Sequence, residues 1–258
     1  MTTTRQTWLR LLSALILLLP LGACANPDAL WQIVHEQCVP NQRQHGQPAP
    51  CAEVTLAPDE AHGHVVLKDR NGPLQYLLMP TAKISGIESA QLLAADTPNF
   101  FAEAWRARGY MARKLGQPID RSAIALTVNS PGGRSQNQLH IHISCINPAV
   151  RNRLAALQTQ IVPRWQPLPG GLNGHAYQAR RVTGADLDGI DPIKDLAASL
   201  PGARAAMGDY TLAVVATRFA DGNDGFYLLA DKADLLSGDV ASAEGDIQDH
   251  DCAVLKQP

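Results

Sequence analysis

His140 and His142 stand two residues apart in the stretch Gln136-Asn137-Gln138-Leu139-His140-Ile141-His142-Ile143-Ser144-Cys145. Alternate residues of a β-strand share a face. His140, His142 and Ser144 therefore project toward a site, and Leu139, Ile141, Ile143 and Cys145 toward a core. One ring can present a nitrogen to an electrophile while its neighbour fixes orientation, and imidazole attacks phosphorus without a metal. Alternating histidines also occur as a solvated face or as half of a metal site. A zinc site needs three or four ligands, and the residues flanking this pair add no carboxylate or thiolate to its face. The metal reading ranks second, and no metal or cofactor is expected.

The elements that must position this pair follow from periodicity and punctuation. Residues 64–69 and 74–79 are rich in Val, Leu, Tyr and Met and flank Asn71-Gly72-Pro73, which predicts a hairpin. Residues 123–128 predict a strand that pairs antiparallel with the histidine strand, the polar loop between them lying at one rim. Asn26-Pro27-Asp28 opens a helix to about Cys38 that buries Leu30, Trp31, Ile33 and Val34. Thr97-Pro98 opens another to about Leu115, stopped by Gly116 and Pro118, with Phe100, Phe101, Trp105 and Met111 inward. Further helices are expected over 148–161, 191–199 and 241–251, and strands over 174–182, 210–218 and 225–230. The second half either extends the sheet or pseudo-repeats it. The expected fold is one compact α+β unit on antiparallel strands.

Several polar residues around this frame have two readings each. In the turn before the histidines, Ser135, Gln136 and Asn137 can supply neutral donors and amides to a diphosphate, or be polar because they are exposed. Lys68 and Lys83 can reach phosphate or water. Arg180 and Arg181, on a strand with His175 and Tyr177, can approach a diphosphate or form surface ion pairs. His62 and His64 are expected at the surface, and His35 and His45 in solvent.

The chain has 258 residues, 18% charged and 45% hydrophobic, with formal net charge −2, enough for one sizeable core. The near-neutral balance without a basic stripe argues against nucleic acid as a partner. Arg5 and Arg10, an apolar run from Leu11 to Leu19, and Leu21-Gly22-Ala23-Cys24 read as an export segment over 1–24. The last four residues resemble the lipobox of bacterial lipoproteins, with Cys24 the lipidated residue. An ordinary cleavage site or an uncut anchor are the alternatives. Residues 25–258 form the expected catalytic unit.

The pattern His140-Ile141-His142-Ile143 resembles the histidine triad superfamily of nucleotide hydrolases and transferases, with Ser144 where the third histidine stands. The wider chain is similar to one branch, the CDP-diacylglycerol pyrophosphatases. The similarity lies in Val66–Pro80, Thr97-Pro98-Asn99-Phe100-Phe101, Leu168-Pro169-Gly170-Gly171-Leu172 and Ile247-Gln248-Asp249-His250-Asp251-Cys252, besides the histidine stretch. It implies a histidine-triad-like antiparallel sheet with flanking helices. It also implies hydrolysis of CDP-diacylglycerol, drawn from a membrane, to CMP and phosphatidate with water as acceptor. His142 would be the nucleophile, forming a cytidylyl-histidine, and His140 would fix its ring. Asp69 stands where the superfamily places a ribose ligand, although a turn-capping aspartate is the other reading. Asn129, eleven residues before His140, stands where an asparagine contacts the phosphate-bearing end. Ser135, Gln136 and Asn137 match the polar phosphate-binding turn. A phosphate monoester has a second pKa of about 6, so it can depart with little protonation and Ser144 is tolerable at the third position.

Cysteine count and resemblance bear on the compartment. Without Cys24, four cysteines remain in a chain that reads as exported, which predicts two disulfides. Cys38 and Cys51 bracket a loop rich in Pro, Gln and Asn. Cys145 would then pair with Cys252, the pairing the resemblance also implies, tying the site strand to the last helix. The expected location is the bacterial envelope, anchored at the inner membrane and facing the periplasm. Two alternatives stand: a transferase or broader nucleotide hydrolase using the same His142 chemistry, and an exported lipoprotein holding a metal on His140 and His142.

Overall fold

In the computed structural model, residues 26–256 are described. The export segment and Cys24 lie outside them. Among the described residues, no helix is long and apolar enough to cross a membrane.

Nine strands form one antiparallel sheet: β1 Glu53–Thr55, β2 His64–Lys68, β3 Tyr76–Pro80, β4 Ile124–Val128, β5 Ile141–Cys145, β6 Gln166–Pro167, β7 Gln178–Thr183, β8 Tyr210–Arg218 and β9 Asp224–Lys232. Their order is β1-β2-β3-β5-β4-β8-β9-β7-β6. The α+β expectation holds, and so do both readings of the second half. Strands β6, β7, β9 and β8 repeat the order β2, β3, β5, β4, and the two quartets join in antiparallel register through β4 and β8.

The histidine strand is central. His142 is opposite Leu77 on β3 and Thr127 on β4, and Thr127 is opposite Ala213 on β8, so these side chains share one face. Ile141 and Ile143 turn to the other face, where α3 (Phe100–Ala107) packs on β3, β4 and β5 with Phe101, Ala104 and Trp105 fully or nearly buried. Helix α3 is capped by Asn99, whose Oδ1 accepts from the Ala102 amide at 3.1 Å, rather than by Thr97. The predicted helix is also broken at Arg108, beyond which α4 (Gly109–Leu115) ends at Gly116 with φ 81°.

On the histidine face lies a helical stretch over 29–45: α1 (Ala29–Gln32), a π-helical segment (Ile33–Cys38) and α2 (Val39–His45). It starts after Asp28 and runs seven residues past the expected end, the π-helical segment leading directly into α2 with Pro40 in its first turn. Val34, Cys38 and Val39 pack with Cys51, Val65, Leu77 and Met79. Leu30, Trp31 and Ile33, expected in the core, are half-buried. Contrary to expectation, His64 is buried, 3.5 Å from the Glu53 carboxylate.

Both expected disulfides are present, Cys38–Cys51 and Cys145–Cys252. The last helix, α7, is shorter than expected (Ala243–Ile247), and Cys252 follows it in a turn at φ 51°. The second bridge therefore ties β5 to the segment beyond α7. The first fastens the helical stretch to the segment leading into β1. Replacing Cys38 and Cys51 by serine is expected to lower stability by about 3 kcal/mol for a loop of this length, read as a shifted denaturant midpoint with fold retained.

Candidate active site

A cleft of about 730 Å³ opens on the histidine face. Leu30 and Ile33 of the helical stretch, with Leu67 and Leu77, form an apolar wall; Asp69 and Arg70 line the hairpin side. Residues 132–136 form the rim, His140 and His142 the floor, and Glu244 of α7 closes the far side.

The two rings lie edge to face with centroids 4.8 Å apart. His140 Nδ1 is 2.6 Å from the Gln138 carbonyl oxygen. A carbonyl only accepts, so Nδ1 carries the proton and Nε2 of neutral His140 is bare. His142 Nδ1 faces Gln75 Nε2 at 3.2 Å, and its Nε2 lies 3.2 Å from Glu244 Oε2 without the alignment of a hydrogen bond. Burial is the main reason both rings fall to a pKa of about 4. For His142 the Asp69 charge opposes the shift and His250 adds to it, while His142 itself further lowers His140. Both imidazoles are neutral at pH 7, the form in which a ring nitrogen is a nucleophile.

The expected ligand residues divide. Asp69 lines the cleft, and its Oδ1 accepts from the Asn71 amide, the turn-capping bond read from the sequence. Its Oδ2 accepts from Gln75 Nε2 at 2.6 Å, which links it to His142. The turn is close to the chain's end. Gly72 has φ 60°, and a Cβ there would meet the His250 carbonyl oxygen at 2.6 Å.

Asn129 lines the cleft, but its amide is committed to α7. Nδ2 donates to Glu244 Oε2 at 3.2 Å, and Oδ1 accepts from the Glu244 backbone amide at 3.1 Å. Ser135 is exposed on the rim. Gln136 also lines the rim, but Nε2 donates to the Asn26 carbonyl and Oε1 accepts from the Leu30 amide, so it pins the helical stretch. Asn137 is exposed and absent from the cleft wall. Ser144 shares the histidine face but is fully buried and does not line the cleft. The Gly132 and Gly133 amides both donate to Ser130 Oγ.

Most candidate cations are engaged elsewhere. Lys68 Nζ donates to the Asp69 and Gly72 carbonyls, Lys83 pairs with Asp28, and Arg180 pairs with Asp195. Arg181 lies over the Phe219 ring. Arg134, which lines the cleft, makes a two-pronged pair with Glu88 at 2.7 Å.

Glu244, Gln75 and His250 complete the constellation and were missed from sequence. Glu244 Oε1 is 3.3 Å from both Gln75 Nε2 and His250 Nε2. Gln75 had a legible signal, since two-residue alternation with Leu77 places it on the histidine face. Glu244 lies 102 positions after His142 on a five-residue helix, and no local pattern points from one to the other.

Two neutral imidazoles thus form the buried floor of a cleft in an antiparallel α+β fold. The chain belongs to the CDP-diacylglycerol pyrophosphatase family, whose model matches residues 25–256. It is 51% identical over 255 residues to the CDP-diacylglycerol pyrophosphatase of Yersinia pestis, covering 96% of this chain and 95% of that one.

Proposed function

We propose that this chain hydrolyses CDP-diacylglycerol to CMP and phosphatidate, with His142 as the attacking residue. Family membership over nearly the whole chain supports the substrate, and the neutral, buried His140–His142 pair on the cleft floor carries the chemistry. His142 Nε2 bonds to the phosphorus of the cytidylyl group, the diphosphate bridge breaks, and phosphatidate departs with its electron pair. Water then cleaves the phosphorus–nitrogen bond and releases CMP. The leaving phosphate monoester needs little protonation near neutral pH. This agrees with the absence of Ser144 from the cleft wall.

With Nδ1 facing an amide donor, His142 carries its proton on Nε2, which must be cleared before attack. Glu244 Oε2, 3.2 Å away, is placed to take that proton and, once protonated, to donate a hydrogen bond to a phosphoryl oxygen. Asp69, through Gln75, holds the other side of the ring. Exposed Arg70 at the mouth supplies a positive charge for the diphosphate.

One observation favours a second reading. The bare Nε2 of His140 needs no proton removed, so His140 could attack while His142 shares its proton with Glu244. Incubating the purified chain with CDP-diacylglycerol tests the activity itself: CMP and phosphatidate in equal amounts support it, and absence of both sinks it.

The ring pKa values predict the acid limb. kcat/KM reports ionisations of the free enzyme, and a histidine held near 4 stays neutral until the pH approaches that value. Activity should therefore hold well below pH 6 and fall only toward about pH 4. An acid limb centred near 6.5 would mean the rings titrate as solvent-exposed histidines.

The envelope location belongs to the same proposal. Asn26, the first described residue, is bonded through its carbonyl to Gln136 on the cleft rim. An anchor preceding it would hold the cleft mouth near a bilayer, where a diacylglycerol substrate resides.

A further inference from the structure

Behind α7, on the side away from the histidines, three carboxylates converge on one imidazole. His175 Nδ1 lies 2.9 Å from Asp246 Oδ2, 3.6 Å from Asp239 Oδ1 and 4.0 Å from Asp231 Oδ2. One donor atom each from His175, Asp231 and Asp239 fall within 4.8 Å of one another. The ion pairs of these three aspartates run to that single ring. Asp231 is 2% exposed, and its Oδ2, the oxygen turned toward His175, is buried with no hydrogen-bond donor. Asp239 is 8% exposed.

Such a cluster is costly as it stands. Buried carboxylates need a positive partner, and one imidazolium already paired with Asp246 cannot neutralise both Asp231 and Asp239. Burial, then the Asp239 charge, pushes the Asp231 carboxyl up to about 7. Burial disfavours charge on the His175 ring too, but Asp246, Asp239 and Asp231 outweigh it and hold its pKa above the ordinary value. Tyr177 donates to Asp246 Oδ2 at 2.8 Å, which fixes that carboxylate against the His175 ring as an outer partner.

We propose that His175, Asp231 and Asp239, with Asp246 beside the ring, form a binding site for one divalent transition-metal cation, zinc or manganese. The choice follows from donor type: one imidazole with carboxylate oxygens suits these ions better than calcium or magnesium, which favour all-oxygen sets. Separations of 3.6 and 4.0 Å between ring nitrogen and carboxylate oxygens let both reach an ion at about 2.0–2.2 Å. His175 is the most open of the three, its side chain 31% exposed, and provides the way in.

The site's place in the fold gives the cation a structural task. Asp231 is the penultimate residue of β9, Asp239 lies in the loop that follows, and His175 is paired with Asp246 of α7, so one ion would fasten strand and loop beside the helix bearing Glu244. The same loop packs on the cleft rim, where a Cβ on Gly133 would meet the Ala241 carbonyl oxygen at 2.8 Å. The inference does not rest on the proposed hydrolysis, and its readout is binding.

The experiment uses the full untagged chain, stripped with chelator, reloaded with zinc or manganese and desalted. Metal content, affinity by calorimetry and Tm are measured beside Asp231→Asn, Asp239→Asn and His142→Ala. The expected result is one ion per wild-type chain and a Tm that climbs with cation concentration. Both should survive in His142→Ala, while affinity falls roughly tenfold or more in the two aspartate variants. Affinity should also rise with pH, because the cation displaces the His175 proton. Asp231→Asn relieves repulsion in the metal-free chain, so its Tm without metal should equal or exceed wild type, which shows that lost binding is not lost folding. No retained ion in wild type overturns the proposal. So does binding lost in His142→Ala but kept in Asp231→Asn, which would place the ion on the catalytic pair.

Discussion

Replacing His142 by alanine is expected to lower the rate of CMP release by on the order of 10⁴–10⁶-fold, with the fold intact. The size follows from the loss of a covalent route: water would have to attack phosphorus directly, without an activated nucleophile. Truncating His142 deletes a neutral ring on the cleft floor and leaves a hole open to solvent, so stability should change little beside the rate. Mass spectrometry of the wild-type chain mixed briefly with CDP-diacylglycerol should show a gain of one cytidylyl group. Fragmentation must then place it on His142 rather than His140, since both lie on one peptide. An adduct on His140 would select the second reading, in which the bare Nε2 of that ring attacks. Normal turnover by His142→Ala would remove both this residue and the covalent step assigned to it.

What could be read from the sequence, and what could not, divides by range of interaction. The hairpin, the β4–β5 pair and the alternation that puts His140 and His142 opposite the Ile141–Ile143 core face are local, and two-residue periodicity exposed them. Cysteine count, loop composition and resemblance led to both bridges. Helix ends were read less well: Asn99 caps where Thr97 also fits the pattern, although Asn26 does accept from the Asp28 amide through its side chain. The polar residues before the histidines were visible, but their partners were not. Gln136 and Asn129 carry the donors a phosphate would need, and the fold uses them to hold the helical stretch and α7. The cluster around His175 was invisible for the same reason: its aspartates are scattered over a loop and two elements, and only the turn back of α7 brings them together.

Glu244→Gln is expected to reduce kcat by about 10²–10⁴-fold while leaving KM unchanged or lower. The amide matches the carboxylate in shape and can still bond to Asn129, so α7 should stay in place. What it loses is the capacity to take the His142 Nε2 proton. Its oxygen could only accept a hydrogen bond from that N–H, holding the ring in the tautomer that cannot attack. The change also removes one negative charge beside an anionic diphosphate, so binding should not weaken. A structural role predicts the reverse: if Glu244 serves only to fasten α7 through Asn129, the glutamine variant should turn over almost normally. Glu244→Ala, which removes the side-chain bond to Asn129 Nδ2, should then lose both activity and stability. The kcat and KM split in the glutamine variant, read beside its denaturation midpoint, separates the two roles. A large loss of kcat at unchanged stability would assign removal of the His142 Nε2 proton to Glu244.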